Sequence, residues 1–179
     1  QVIAHALTGT RLLMVVPAAW GFSRPDRVSV WLLAALVTVA IVTDVYDGPI
    51  ARASGTASPG GMLFDHTTDF LFVTSGLAGA ALAGLVPVLL PVLIVVAFSQ
   101  YVLDSYFLHQ QKQLRMSVLG RWNGILYFVP LVQIVIARLG SLPLLPGLAA
   151  ILVRPCATLL VATTLISIAD RALAPRRAQ

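Results

Sequence analysis

Long, nearly unbroken apolar stretches alternate with short polar ones along the chain. A membrane-spanning helix needs about 20 largely apolar residues. Six stretches meet that need, at roughly 4–22, 30–48, 63–85, 88–108, 120–138 and 151–170. They predict an all-α membrane protein with six transmembrane helices. The first stretch contains Arg11, following Leu7, Thr8 and Gly9. A cation there marks function unless its stem reaches a nearby interface. Pro17 predicts a kink or marks the far part of that helix. Trp20 and Trp31 flank the next loop as an interfacial aromatic belt. In the third stretch, Ser75, Gly79 and Ala83 form one ladder of small residues, and Gly76, Ala80 and Gly84 form another. Such ladders let helices pack closely in lipid. Near the end of the fourth stretch, Asp104 and His109 are expected to make interfacial hydrogen bonds, with a metal or proton role as the alternative. No repeat of 20–50 residues is evident, so 1–179 is read as a single transmembrane domain.

Composition agrees with this pattern. The chain is 58% hydrophobic and 11% charged, against roughly 25% charged for a soluble domain. The net charge of +5 is assigned to cytoplasmic loops and anionic lipid rather than to nucleic acid. With the N-terminus inside, the inner segments hold Arg52, Lys112, Arg115, Arg121, Arg171, Arg176 and Arg177; the outer ones hold Arg24, Arg27, Arg138 and Arg154. That bias places both termini and the aspartate segment on the cytoplasmic side, and the membrane is expected to be a bacterial or archaeal cytoplasmic one. The lone Cys156 reads as a small packing residue, and no signal peptide is expected.

The acidic residues break the apolar pattern most sharply. Asp44, Asp47, Asp65 and Asp69 are four of the seven acids in the chain, all within 26 residues. Asp44 and Asp47 are spaced i, i+3, and Asp65 and Asp69 are spaced i, i+4, so each pair shares a helix face. The segment 49–60 between them reads as a loop short enough to hold the two pairs together. Carboxylates where hydrocarbon meets water are costly unless paired or bound to a cation. A divalent cation is the simplest account, and an all-oxygen donor set without Cys or His favours Mg²⁺ or Mn²⁺ over zinc. Gly48 and Gly61 allow close approach of a ligand, and Arg52 offers a fork suited to phosphate oxygens.

The eight positions Asp44, Asp47, Gly48, Ala51, Arg52, Gly61, Asp65 and Asp69 read D-x2-D-G-x2-A-R-x8-G-x3-D-x3-D. This resembles the signature of the CDP-alcohol phosphotransferases (CDP-alcohol phosphatidyltransferases), integral membrane enzymes of phospholipid synthesis. At average residue usage, a chance match at a given start has odds on the order of one in a billion. Leu7, Thr8 and Arg11 are similar to an L-T-x-x-R stretch common near the start of family members. The resemblance implies a polar active-site cavity facing the cytoplasm, a homodimer, and transfer of a phosphatidyl group from a CDP-linked donor, typically CDP-diacylglycerol, with release of CMP. It implies two Mg²⁺ or Mn²⁺ ions, with Asp44, Asp47 and Asp65 at one and Asp65 and Asp69 near the other. Asp69 is then the general base, and Gly48, Ala51, Arg52 and Gly61 line the cytidine diphosphate site.

For the acceptor alcohol the reading stays open. Lys112, Arg115 and Arg121 could bind a phosphate on the acceptor, or could serve lipid headgroups and topology. Glycerophosphate-using relatives show a Gly-Lys-x-Lys-Thr-like stretch. Gly120-Arg121-Trp122-Asn123 keeps one basic position and has Asn at the second. Glycerol 3-phosphate is the preferred acceptor; serine, inositol phosphate or another alcohol is the alternative. A divalent-cation transporter would also place acids in a membrane, but gives no reason for Arg52 and the two glycines beside them.

Overall fold

The structure, a computed structural model, describes residues 2–53, 59–103, 118–139 and 144–177, without the side chains of 2–7, 47–52, 59 and 174–177. Among the described residues there are seven α-helices, one 3₁₀ turn and no strand: α1 (Val2–Ser23), the 3₁₀ turn Pro25–Arg27, α2 (Val30–Ala53), α3 (Pro59–Leu82), α4 (Leu89–Leu103), α5 (Val118–Leu126), α6 (Phe128–Leu139) and α7 (Leu145–Arg177). The fold is all-helical, as expected.

The expected boundaries shift where local chemistry overrides hydropathy. Within the segment 49–60, expected as a loop, the described residues are helical: α2 continues through Ala53 and α3 opens at Pro59. Ala51, Arg52 and Ala53 are good helix formers, and proline is well suited to a first helical position. Pro17 is accommodated within a continuous α1. The fifth apolar stretch is broken at Tyr127 into α5 and α6. Pro130 accounts for the break, because it has no N–H for the carbonyl of Leu126 and its ring crowds that carbonyl. Two described segments, Val118–Leu139 and Leu145–Leu173, are long and apolar enough to cross a membrane, while Val30–Tyr46 and Leu89–Leu103 are apolar but shorter.

α1 packs most extensively on α3, and α6 on α7. The small-residue ladders explain the first contact. A side chain at Gly79 would run into the backbone of α1 at Ala19 and Ser23, and one at Gly76 would press on Leu131 of α6 at 3.2 Å. The Ser75 hydroxyl faces α1, 3.4 Å from the Val15 carbonyl. Contacts therefore climb α1 and α3 in the same direction, so these two helices run parallel, while α2 returns antiparallel to α1. The shared core includes Phe22, Leu33, Phe72, Leu77, Leu90 and Leu131, all fully buried.

One end of the bundle is closed by arginines. Arg138, at the end of α6, donates to the carbonyls of Pro25 and Val28, the latter at 3.0 Å. Arg154 donates to the carbonyl of Gly84 at 2.8 Å. Gly84 has φ +73°, a left-handed turn that glycine takes without strain. The acidic motif lies at the other end.

Candidate active site

The site begins with Arg11, whose side chain is 0% exposed. Its Nε donates to the Thr43 hydroxyl at 3.2 Å. Thr43 directs its own proton to backbone carbonyls of α2, Val39 at 2.8 Å and Ala40 at 3.0 Å, which leaves its oxygen as the acceptor for Arg11. Arg11 Nη1 bonds Asp65 Oδ1 at 3.2 Å, forms an ion pair with Asp69 Oδ1, and lies 3.9 Å from Asp44 Oδ1. One buried cation on α1 thus gathers carboxylates from α2 and α3. The snorkelling alternative does not hold: a guanidinium with no exposure is not reaching for water.

The carboxylates are more open than their cation, at 39% exposure for Asp44, 23% for Asp65 and 18% for Asp69. Among the described side chains, three carboxylates face one guanidinium, so this set carries more negative than positive charge at an accessible edge. A carboxylate has two oxygens, and an arginine bond through Oδ1 does not exhaust either Asp65 or Asp69.

Next to them stands His66, which lies outside the eight-residue motif. One donor atom each from Asp65, His66 and Asp69 lie within 4.8 Å of one another. An imidazole therefore stands beside the acids, where oxygen donors alone were expected. Donors of an ion at about 2.1 Å are separated by about 3–4.2 Å, so small side-chain shifts bring these atoms to one ion. The donor set fits a divalent cation. The His66 ring meets Tyr101 of α4 edge-on, 6.5 Å between centroids and 72° between planes. Tyr101 in turn lies under the Arg171 guanidinium of α7, 5.3 Å from its ring centroid. Phe70 and Phe98 stack at 4.1 Å along the same α3–α4 seam. A polar line therefore runs from α1 through α3 and α4 to α7.

The remaining predicted residues divide by location. Asp47, Gly48, Ala51 and Arg52 lie on the last turns of α2, and Gly61 on the first turn of α3. Arg121 is exposed on the first turn of α5. Lys112 and Arg115, with Asp104 and His109, lie outside the described residues. Thr43, His66, Tyr101 and Arg171 are the additions that only the fold reveals. Of these, only His66 left a trace in the sequence, as a metal-ligating residue type between two motif aspartates.

The sequence model of the CDP-alcohol phosphatidyltransferase family matches residues 1–171 of the chain. The chain belongs to that family. It is therefore a transferase acting on a CDP-alcohol, in a family that generally depends on a divalent metal. The family and the two apolar segments together indicate a membrane protein. No curated protein and no solved structure matches the chain significantly.

Proposed function

We propose that this chain transfers the phosphatidyl group of CDP-diacylglycerol to glycerol 3-phosphate, releasing CMP, in a multi-pass membrane setting with the site facing the cytoplasm. The observation that carries this reading is the gathering of Asp44, Asp65 and Asp69 around buried Arg11, within an intact eight-residue motif. The acceptor hydroxyl oxygen attacks the β-phosphorus of the donor. Its proton passes to Asp69, the last acid of the motif. The bond from that phosphorus to the bridging oxygen breaks, and CMP leaves with the electron pair. Asp44, Asp47 and Asp65 would hold one metal ion and Asp65 and Asp69 a second. Such ions neutralise charge on the diphosphate and in the transition state. Gly48, Ala51, Arg52 and Gly61 serve the cytidine diphosphate, and Lys112, Arg115 and Arg121 serve the acceptor phosphate. A homodimer completes the reading by family analogy.

One observation favours a second acceptor class. Asn123, at the position where glycerophosphate-using relatives carry a second basic residue, is buried and uncharged. That suits a neutral or zwitterionic alcohol such as serine. The test is to incubate purified protein with CDP-diacylglycerol and Mg²⁺ or Mn²⁺, offer one alcohol at a time, and measure CMP. Release with glycerol 3-phosphate above all others is the expected result, and it should vanish in excess EDTA. Release only with serine moves the acceptor to the second class. No release with any alcohol, together with divalent-cation flux in vesicles, overturns the enzymatic reading.

A further inference from the structure

We propose that His66 is a nitrogen ligand of the divalent ion held by Asp65 and Asp69, so that this centre has a mixed nitrogen and oxygen donor set and prefers Mn²⁺ to Mg²⁺. The inference rests on the metal-dependent reading above and adds a ligand that the eight-residue motif does not contain. The first support is position. His66 and Asp69 are i, i+3 on α3, and Asp65 and Asp69 are i, i+4, so Asp69 shares a helix face with each of the other two. Di-iron and di-manganese helical bundles also pair a carboxylate and a histidine at i, i+3, there with the carboxylate first, whereas here His66 precedes Asp69. The second is proximity, since the three donor atoms already lie within 4.8 Å of one another.

The third support is division of labour around the carboxylates. Arg11 approaches Asp65 and Asp69 through Oδ1, from α1. The His66 ring lies toward α4, edge-on to Tyr101, and is half-buried there. Arginine and imidazole thus flank the pair from different helices. Charge gives the fourth. A neutral imidazole adds a donor without adding to the negative excess of the acids. Nitrogen ligation also discriminates between metals: Mg²⁺ demands oxygen, whereas imidazole suits first-row transition ions.

The test reads the metal and not the reaction. The purified full-length chain is loaded with Mn²⁺ in lipid nanodiscs, and electron spin echo modulation is recorded for coupling to imidazole ¹⁴N. The chain has three histidines, His5, His66 and His109. The expected result is ¹⁴N modulation that is lost in His66→Gln and kept in His5→Gln and His109→Gln. The Mn²⁺ dissociation constant should rise about tenfold or more in His66→Gln, while that for Mg²⁺ moves by less than about threefold. Thermal unfolding of the metal-free His66→Gln protein checks that the fold survives; if it does not, His66→Ala and His66→Asn are read in its place. Stoichiometric Mn²⁺ without ¹⁴N modulation in the unsubstituted chain overturns the proposal, as does modulation that survives loss of His66. A chain that shows the signal but releases no CMP would overturn the catalytic reading alone. A chain that turns over without the signal would overturn only the role of His66.

Discussion

Two of the polar groups inside this apolar bundle differ in charge and closure. Where α1, α2 and α3 meet, Arg11 gathers Asp44, Asp65 and Asp69. Where α5 and α6 meet α7, the Tyr127 and Thr164 hydroxyls share a hydrogen bond of 2.8 Å, with Asn123 buried one turn before Tyr127. The second group is neutral and its two hydroxyls are satisfied, since Thr164 also donates to the Leu160 carbonyl at 2.6 Å, while the buried Asn123 amide has no hydrogen-bond partner among the described residues. The first has more negative than positive charge, and its acids remain partly open. Neutral groups that satisfy one another hold helices together. A charge excess left at an open edge is costly to keep and can bind a further cation. The contrast separates packing from chemistry without reference to family.

The largest effect that sharpens the contrast is expected at Asp69. Asp69→Asn should retain the fold and part of the metal binding while lowering kcat by about 10²- to 10⁴-fold, the range for loss of a general base. CMP release against pH, measured beside Asp65→Asn, separates a base from a ligand. A near-normal rate for Asp69→Asn with a dead Asp65→Asn would remove Asp69 from the base role.

Arg11 comes next. Removing one partner of a buried ion pair costs about 3–5 kcal/mol, and the partial exposure of the acids puts Arg11→Met at the low end, about 3 kcal/mol. Thermal unfolding in detergent with chelator present should show this loss. Added Mn²⁺ should recover more stability in Arg11→Met than in the parent chain, because the ion then offsets charges that Arg11 no longer does. Unchanged unfolding without metal would mean that the acids do not depend on Arg11, and the contrast between the two groups would fail.

The spacing of the acids was legible because i, i+3 and i, i+4 pairs share helix faces whatever the tertiary structure. Six apolar stretches likewise foretold the helices, since apolar length suffices to mark them. The break at Tyr127 was not foreseen, although Pro130 was in view; hydropathy does not register a missing N–H. Arg11 was ambiguous, because burial and snorkelling differ only in where the side chain ends. His66 is not legible in the sequence because a lone histidine beside an aspartate carries no spacing signal until α3 and α4 are packed. Tyr101 and Arg171 were beyond reach, since their relation to His66 exists only once α4 and α7 are packed.

A smaller effect should separate donor from acceptor. Loss of one charge-assisted contact costs about 1.5–3 kcal/mol, roughly 10- to 150-fold. Arg52→Ala should weaken use of the CDP-linked donor by that factor, and lower kcat as well if the contact tightens in the transition state. Arg121→Ala should raise the acceptor KM far more than the donor KM, with the loss shrinking in high salt because Arg121 is exposed. Steady-state kinetics with each substrate varied in turn provides the check. Unchanged acceptor kinetics in both Arg115→Ala and Arg121→Ala would assign these cations to lipid or topology and favour an uncharged acceptor.

The smallest effect should fall on the neutral group. In Tyr127→Phe the aromatic ring stays and one hydroxyl is lost. Thr164 still directs its proton to the Leu160 carbonyl, so no buried donor is stranded on α7. A neutral hydrogen bond lost in this way costs about 0.5–1 kcal/mol. Thr164→Val should cost more, because it removes the acceptor of the buried Tyr127 hydroxyl. Such a loss ranges over about 1–3 kcal/mol. Neither substitution should change kcat, since neither alters the charge balance of Arg11, Asp44, Asp65 and Asp69. Unfolding and CMP release measured on the same preparations would test both statements. A kcat lowered more than tenfold in Tyr127→Phe at unchanged stability would show that this pair belongs to the reacting site, and neutrality would no longer distinguish packing from chemistry in this bundle.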